Sequence, residues 1–414
     1  MTAERSPQSS ARSLDAPLLT AWRNAVVVLF GLGGITISAW GPRLPSIRTE
    51  LHLSDGMIGL VLAGVTVGSI AGLAASSAIL SALGARRAIA GDVALVGVGL
   101  ALVGVAAGAF GSLPFTVVGF VLVGFGIGAL DVMINVEGSG VERRAGKTLM
   151  PLMHAGWSVG AVLGSGIGAA ASALGIAFQY QFVGEAAVII LAGVVAVRYL
   201  PVAVPVEDPA GRAPVRQRMR EWFRGWTDLR LLLIGVVMLG VELGEGGANS
   251  WLTLAVRDDH HQTDTIAALF FTAFAVGEST ARILGGPLVD RVGRVRAVRG
   301  TTALGVVGLV LFILGGPAWV ALVGVVLWSV GVSMGFPLGM SAAADSGPNP
   351  AARVSVVASI GYLANLGGPP VIGFLAESVG LLNALWLVAA LLAVGFALAG
   401  ALAHRSSGPP RITS

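Results

Sequence analysis

Cysteine is absent from the chain, so disulfides, thiol nucleophiles and thiolate metal sites are all excluded. Histidine is scarce and scattered: of five residues only His154 lies inside an apolar segment, which argues against a metal centre built from imidazoles. Charge is low as well. Asp, Glu, Lys and Arg make up 12% of 414 residues, too few to cover the surface of a soluble protein of this size. No G-x-x-x-x-G-K-[ST] loop occurs, so drive by ATP from within the chain is excluded, and no cofactor is expected. The alternating ten-residue segments of a membrane β-barrel are missing too. The opening residues MTAERSPQSSARSLDAPLLT are polar and lack a signal-peptide core, so residues 1–19 are expected to be retained as a cytoplasmic tail. The +4 net charge comes from basic residues in separate short loops, a pattern that suits membrane topology and not nucleic acid.

What is present is apolar: 55% hydrophobic residues and 60 glycines. Runs long enough to span hydrocarbon, about 20 residues each, fall near 20–41, 55–80, 87–110, 114–139, 149–175, 178–200, 230–256, 263–288, 299–316, 318–343, 354–377 and 381–403. Backbone polar groups in lipid must be bonded internally, so the runs are helices. The expected fold is an all-α membrane protein with twelve transmembrane helices in two pseudo-symmetric six-helix bundles. Residues 20–200 and 229–404 form the bundles, 201–228 a cytoplasmic linker and 405–414 a tail. The linker stretch RQRMREWFRGW suits either a short amphipathic helix on the inner leaflet or a solvated connection. Arginine sits almost wholly on one side: Arg86, Arg87, Arg143, Arg144, the run 212–230, Arg291, Arg294, Arg296, Arg299, Arg353, Arg405 and Arg411, with Lys147. That side is therefore cytoplasmic, and both termini with it, in the inner membrane of a bacterium. Arg43, Arg48 and Arg257 are the exceptions.

The halves repeat. GGPLVDRVGRVRAVRG after span eight matches SAILSALGARRAIAGD after span two at a constant offset of 209, pairing Gly293 with Gly84 and Arg296 with Arg87. Repeated six-helix halves joined by a cytoplasmic loop indicate a carrier that rocks one half against the other.

GGPLVDRVGR resembles the loop signature G-x-L-x-D-R-x-G-R of the major facilitator superfamily. DVMINVEG in span four, MHAGWSVG in span five, ELGEGGANSWL in span seven and GYLANLGGPPVIGFLAE in span eleven extend the resemblance to its fucose-permease-like bacterial branch. In that branch an acid in span four works with a second in span one. Asp131 matches the first, and Asn135 a polar partner; span one here, AVVVLFGLGGITISAW, has no carboxylate. By the same resemblance Asp290, Arg291, Gly293 and Arg294 form a cytoplasmic latch that holds one conformation.

The residues themselves point to the interior of spans four, five, seven, eight and eleven. Asp131 interrupts a run without charge from Phe115 to Leu130, a costly place for a carboxylate. Asn135 lies one turn on, on the same face. Glu137 stands nearer the basic cluster and reads as an interfacial ion-pair partner. His154 can handle a proton near neutrality, and Trp157 offers an aromatic wall. Glu242, Glu245 and Asn249 form one stripe with Trp251 beside it, and the flanking GEGGANS suggests a broken helix whose backbone faces a cavity. Two adjacent carboxylates there could share a proton. Tyr362 and Asn365 lie beside the bend at Gly367-Gly368-Pro369-Pro370. Glu278 and Arg282, four apart, read as a gating pair bonded to each other or to the acids of span seven.

The function these features imply is not enzymatic. It is secondary active transport of a small organic solute by a monomer in the bilayer. Asp131, Glu242, Glu245 and His154 couple protons, and Asn135, Trp157, Asn249, Trp251, Tyr362 and Asn365 line the solute site. Uptake of a sugar-like or other polar metabolite is the first reading. Proton-antiport efflux of a drug or amphipathic metabolite is the alternative, and a membrane receptor without transport is a remote one.

Overall fold

The computed structural model describes residues 16–146, 149–201, 224, 226–347 and 350–403, apart from the side chains of residues 16, 77, 151, 350–352, 355, 362, 365 and 366. Among these residues the regular structure is helical throughout, as a chain in hydrocarbon requires. Helix α1 (Ala16–Ala39) passes through a tight turn at Gly41–Arg43 into α2 (Leu44–Glu50). Helices α3 (Asp55–Gly108), α4 (Leu113–Ala145), α5 (Met150–Ala173) and α6 (Phe178–Val197) complete the first half. The second half holds α7 (Leu229–Asp258), α8 (Asp264–Val292), α9 (Arg294–Leu314), α10 (Ala318–Ser333) and α11 (Gly335–Ala344). It ends with α12 (Pro350–Val379), α13 (Leu381–Ala384) and α14 (Trp386–Leu398). Ten stretches among the described residues are long and apolar enough to cross a membrane. Two more long helices, α5 with 24 residues and α12 with 30, lie beside them. The linker residues 202–223 and 225, with the amphipathic helix read there, lie outside the described residues, as do the tails 1–15 and 404–414.

Helix α3 is two arms joined at Gly84, which takes φ 73°, ψ 159°, a conformation open to glycine and costly for other residues. The first arm runs parallel to α4, and the two backbones nearly touch. A Cβ on Gly68, Gly72, Gly124 or Gly128 would lie 1.9–2.1 Å from a carbonyl oxygen of the facing helix. The second arm runs back antiparallel, with Gly99 against Val123 and Val96 against Gly126.

The repeat read from the sequence extends further in the backbone. Gly293, between α8 and α9, takes φ 83°, ψ 156°, nearly the geometry of Gly84. At the same offset His52 and His261 both adopt positive φ, 52° and 53°. Ser54 and Thr263 likewise cap their helices alike, accepting from the amides of Met57 and Ile266 at 3.3 Å each.

The break in helix continuity falls in span ten and not in span seven. The GEGGANS segment is not a break: α7 runs unbroken from Leu229 to Asp258. Its glycines serve packing, since a Cβ on Gly244 would lie 2.7 Å from Val332 Cγ1. The break falls in span ten, where α10 stops at Ser333 and α11 restarts at Gly335. Pro337 has no N–H to give the carbonyl four residues back, which is that of Ser333. The halves meet along two seams, α3 against α12 and α5 against α8.

Candidate functional site

The freed carbonyl of Ser333 is where the site is best approached. Arg282 of α8 donates to it through Nε at 3.3 Å, so a cation satisfies the negative end of a terminated helix. The same guanidinium donates to Glu245 of α7 at 2.6 Å and forms an ion pair with Glu278, one turn back on α8, at 2.9 Å. Glu242, one turn before Glu245, is buried against Gly361 of α12 and lies within the electrostatic reach of Arg282. Three carboxylates therefore converge on one guanidinium. An arginine suits this because its planar fork donates in several directions at once.

Across the seam stand the groups of the first half. Asn135 donates to Asp131 Oδ1 at 3.1 Å and to the Asp131 carbonyl at 2.8 Å. His154 lies close enough to Asp131 for each to feel the other's charge, and it also feels Arg282. Its ring meets the edge of Phe30 at 5.1 Å between centroids. Ser279, next to Glu278, reaches over to the carbonyl of Ser158 at 3.4 Å, which brings the two sets to one seam. Ionisable groups from α4, α5, α7 and α8 thus gather at one seam between the halves.

Other candidates are placed as follows. Trp157 packs its ring over Gly33 of α1, where a Cβ would lie 2.3 Å from it. Asn249 is half-buried on α7, two turns from the end that carries Arg257. Trp251 is fully buried in the core, its ring against Gly373, so it stands behind the lining. The side chains of Tyr362 and Asn365 lie outside the described residues. Glu137 is not an interfacial ion-pair partner: it is buried and accepts from Trp22 Nε1 at 2.9 Å, while Arg144 stacks on that indole. The latch residues stand at the turn between α8 and α9. Arg294 pairs with Asp345 at 2.6 Å, whereas Asp290 and Arg291 are exposed and make no ion pair among the described residues.

Two buried acids escaped the reading of the sequence. Asp92, on the second arm of α3, is 6% exposed, and its Oδ2 has no hydrogen-bond partner among the described residues. Glu185 of α6 accepts weakly from Gln181 at 3.4 Å and lies near Arg43. Their signal was the one that singled out Asp131, a carboxylate inside an apolar run: AGDVALVGVG and FVGEAAVII. A cavity of about 580 Å³ opens elsewhere, at the end that carries Arg43, Ser46, Arg257 and Asp264, away from the Asp131–Arg282 network.

The model of the Major Facilitator Superfamily matches residues 26–243 and 234–413, nearly the whole chain. An uncharacterized transporter of Sinorhizobium fredii, y4wD, is 30% identical over 371 residues, covering 87% of this chain and 92% of that protein. Among solved structures, the nucleoside transporter NupG superposes with a TM-score of 0.77 at 14% identity, covering 92% of this chain and 99% of that one. A D-xylose-proton symporter does so with a TM-score of 0.68 at 16% identity, covering 93% and 96%. The chain belongs to the major facilitator superfamily. It is a multi-pass membrane transporter and not an enzyme.

Proposed function

We propose that the chain carries a small polar organic solute by alternating access, with protons as the driving ion. Twelve spans form two six-helix bundles, 20–200 and 229–404, joined by the linker 201–228. Both termini lie on the cytoplasmic side of a bacterial inner membrane, and the carrier works as a monomer. The observation that carries this reading is the charged network shared between the halves: Asp131 and His154 on one side, Glu245, Glu278 and Arg282 on the other. Charges inside a membrane protein are costly unless paired or working. This network has its partners split between two bodies, so any rocking motion changes the field at each group. A proton taken up by Asp131 offsets the change on one side, while Arg282 holds two glutamates together on the other. Asn135, Trp157 and Asn249 supply hydrogen bonds and an aromatic face for the solute. The names of the structural relatives, a nucleoside transporter and a xylose-proton symporter, support a polar solute and a proton.

Growth of a deletion strain on sugars, nucleosides and toxic compounds identifies the solute and the direction of transport. Proteoliposomes then test the mechanism, with and without a pH gradient, for wild type and Asp131→Asn. The variant keeps the volume and the bond to Asn135 but cannot titrate. It should insert and fold, lose gradient-driven accumulation and retain exchange down the solute's own gradient. Unchanged accumulation removes Asp131 from the coupling and leaves the glutamates of α7.

A further inference from the structure

The cavity of about 580 Å³ is lined by four charged side chains whose charges cancel: Arg43 and Arg257 against Glu50 and Asp264. Arg257 and Asp264 are spent on each other at 3.3 Å. Arg43 and Glu50 make no ion pair among the described residues. A cavity with one unpaired charge of each sign suits a guest that carries one of each. We propose that it binds a small zwitterion of the ω-amino-acid type. The carboxylate is held at Arg43 and the start of α6, and the ammonium at Glu50.

The carboxylate end is the more fully built. Arg43 is 3% exposed and its guanidinium donates to the Ile176 carbonyl, while its Nε has no hydrogen-bond partner among the described residues. A buried donor left unpaired is costly, so an acceptor belongs there. Ile176 lines the cavity as well, which puts the guanidinium at its wall. Beside it α6 begins without a cap. Ala177, at the N-cap position, has no side-chain oxygen, and the amides of Phe178 and Gln179 find no acceptor among the described residues. All three residues line the cavity, and uncapped amides at a helix start favour an anion. Glu185 and Asp264 lie within electrostatic reach of Arg43, but Gln181 donates to the first at 3.4 Å and Arg257 holds the second. The other anchor is Glu50, at the far end of α2 and exposed at the rim. Seven residues separate it from Arg43, so the two stand on one face of α2, two turns and about 10 Å apart along the backbone. That separation suits charges set apart by a chain of several methylenes.

Isothermal titration of the purified protein with δ-aminovalerate, valerate and pentylammonium, at constant ionic strength, tests both anchors. The zwitterion should bind, and each singly charged analogue should bind roughly tenfold more weakly, the loss of one charge-assisted hydrogen bond. Glu50→Gln should weaken the zwitterion by roughly fivefold, the share of an exposed charge pair, and leave valerate unchanged. Ala177→Asp tests the other end without disturbing the buried Arg43. It gives α6 a cap of its own, so the thermal midpoint should rise without ligand and the binding of δ-aminovalerate should be lost. No binding of the zwitterion to the parent protein overturns the site. So does valerate binding as tightly as the zwitterion, or zwitterion binding that neither variant changes. None of these readouts involves transport or a proton gradient, so the site and the transport mechanism stand or fall separately.

Discussion

The two halves of the chain agree where the backbone must turn and disagree where charge must be held. Gly84 and Gly293 share a conformation that side chains disfavour, and Arg48–Asp55 and Arg257–Asp264 share a spacing. In the interior the likeness stops. At the repeat offset Glu245, Glu278 and Arg282 of the second half correspond to Thr36, Ser69 and Leu73 of the first. Thr36 turns its hydroxyl onto the Leu32 carbonyl of its own helix at 2.8 Å, a local bond with no message for the other half. The first half places the groups that face this network, Asp131 and His154, on α4 and α5 instead. The duplicated features are mechanical, the turns and the Arg–Asp pairs at one end, while the charged chemistry of the interior is divided unequally between two similar frames.

The sharpest break in that comparison comes from Arg282. Arg282→Gln leaves Glu245 and Glu278 facing each other without their cation, and stranding the buried Glu278 this way costs about 3–5 kcal/mol. Yield and thermal midpoint should fall severely, as read by size-exclusion profile and thermal unfolding in detergent. Asp131→Asn in the other half should fold normally. Equal damage from both would refute the unequal division. Next in size are Gly84→Ala and Gly293→Ala, each costing about 1–3 kcal/mol through the strained φ. The two should lower the midpoint by similar amounts; a loss confined to one would show that only one turn is under constraint.

A smaller effect separates Asp345 from Asp290. Asp345→Asn removes the partner of Arg294, an exposed pair of about 0–1 kcal/mol, and should alter transport rate while leaving solute affinity intact. Asp290→Asn should leave both unchanged. The least expected effect concerns Asp228, which caps α7 and pairs with Arg353 at 2.6 Å. Partial burial pushes its carboxyl up, but the bonds from Arg353, Leu231 and Arg230 outweigh that and hold it below the usual range. A depressed carboxyl contributes stability above its unfolded pKa of about 4 and loses it as the pH falls through the folded value. Thermal midpoints of wild type and Asp228→Asn measured from neutral into acid pH should therefore differ most at neutrality and converge in acid.

Much of this was legible in the sequence for a definite reason. Span positions follow from the length of apolar runs, and the repeat from matched Gly84 and Gly293; neither needs knowledge of what packs against what. Pro337 marks the break in span ten within the sequence, and the glycines of GEGGANS are a competing but weaker signal in α7. Glycine weakens a helix by about 1 kcal/mol, which close packing against Val332 overcomes, whereas a missing N–H has no substitute on the same helix.

By itself, then, the sequence determined that the chain is helical, membrane-spanning and duplicated, and that carboxylates lie inside its apolar runs, because hydropathy and period are properties of consecutive residues. Tertiary structure alone decided the partners. It gave Glu137 to Trp22, Arg294 to Asp345 and Arg282 to two glutamates and a freed carbonyl; it hid Trp251 in the core and left Asp92 Oδ2 without a hydrogen-bond partner among the described residues. Partner choice depends on how closely two helices approach and at what register, and the contacts that set both join residues far apart in the chain.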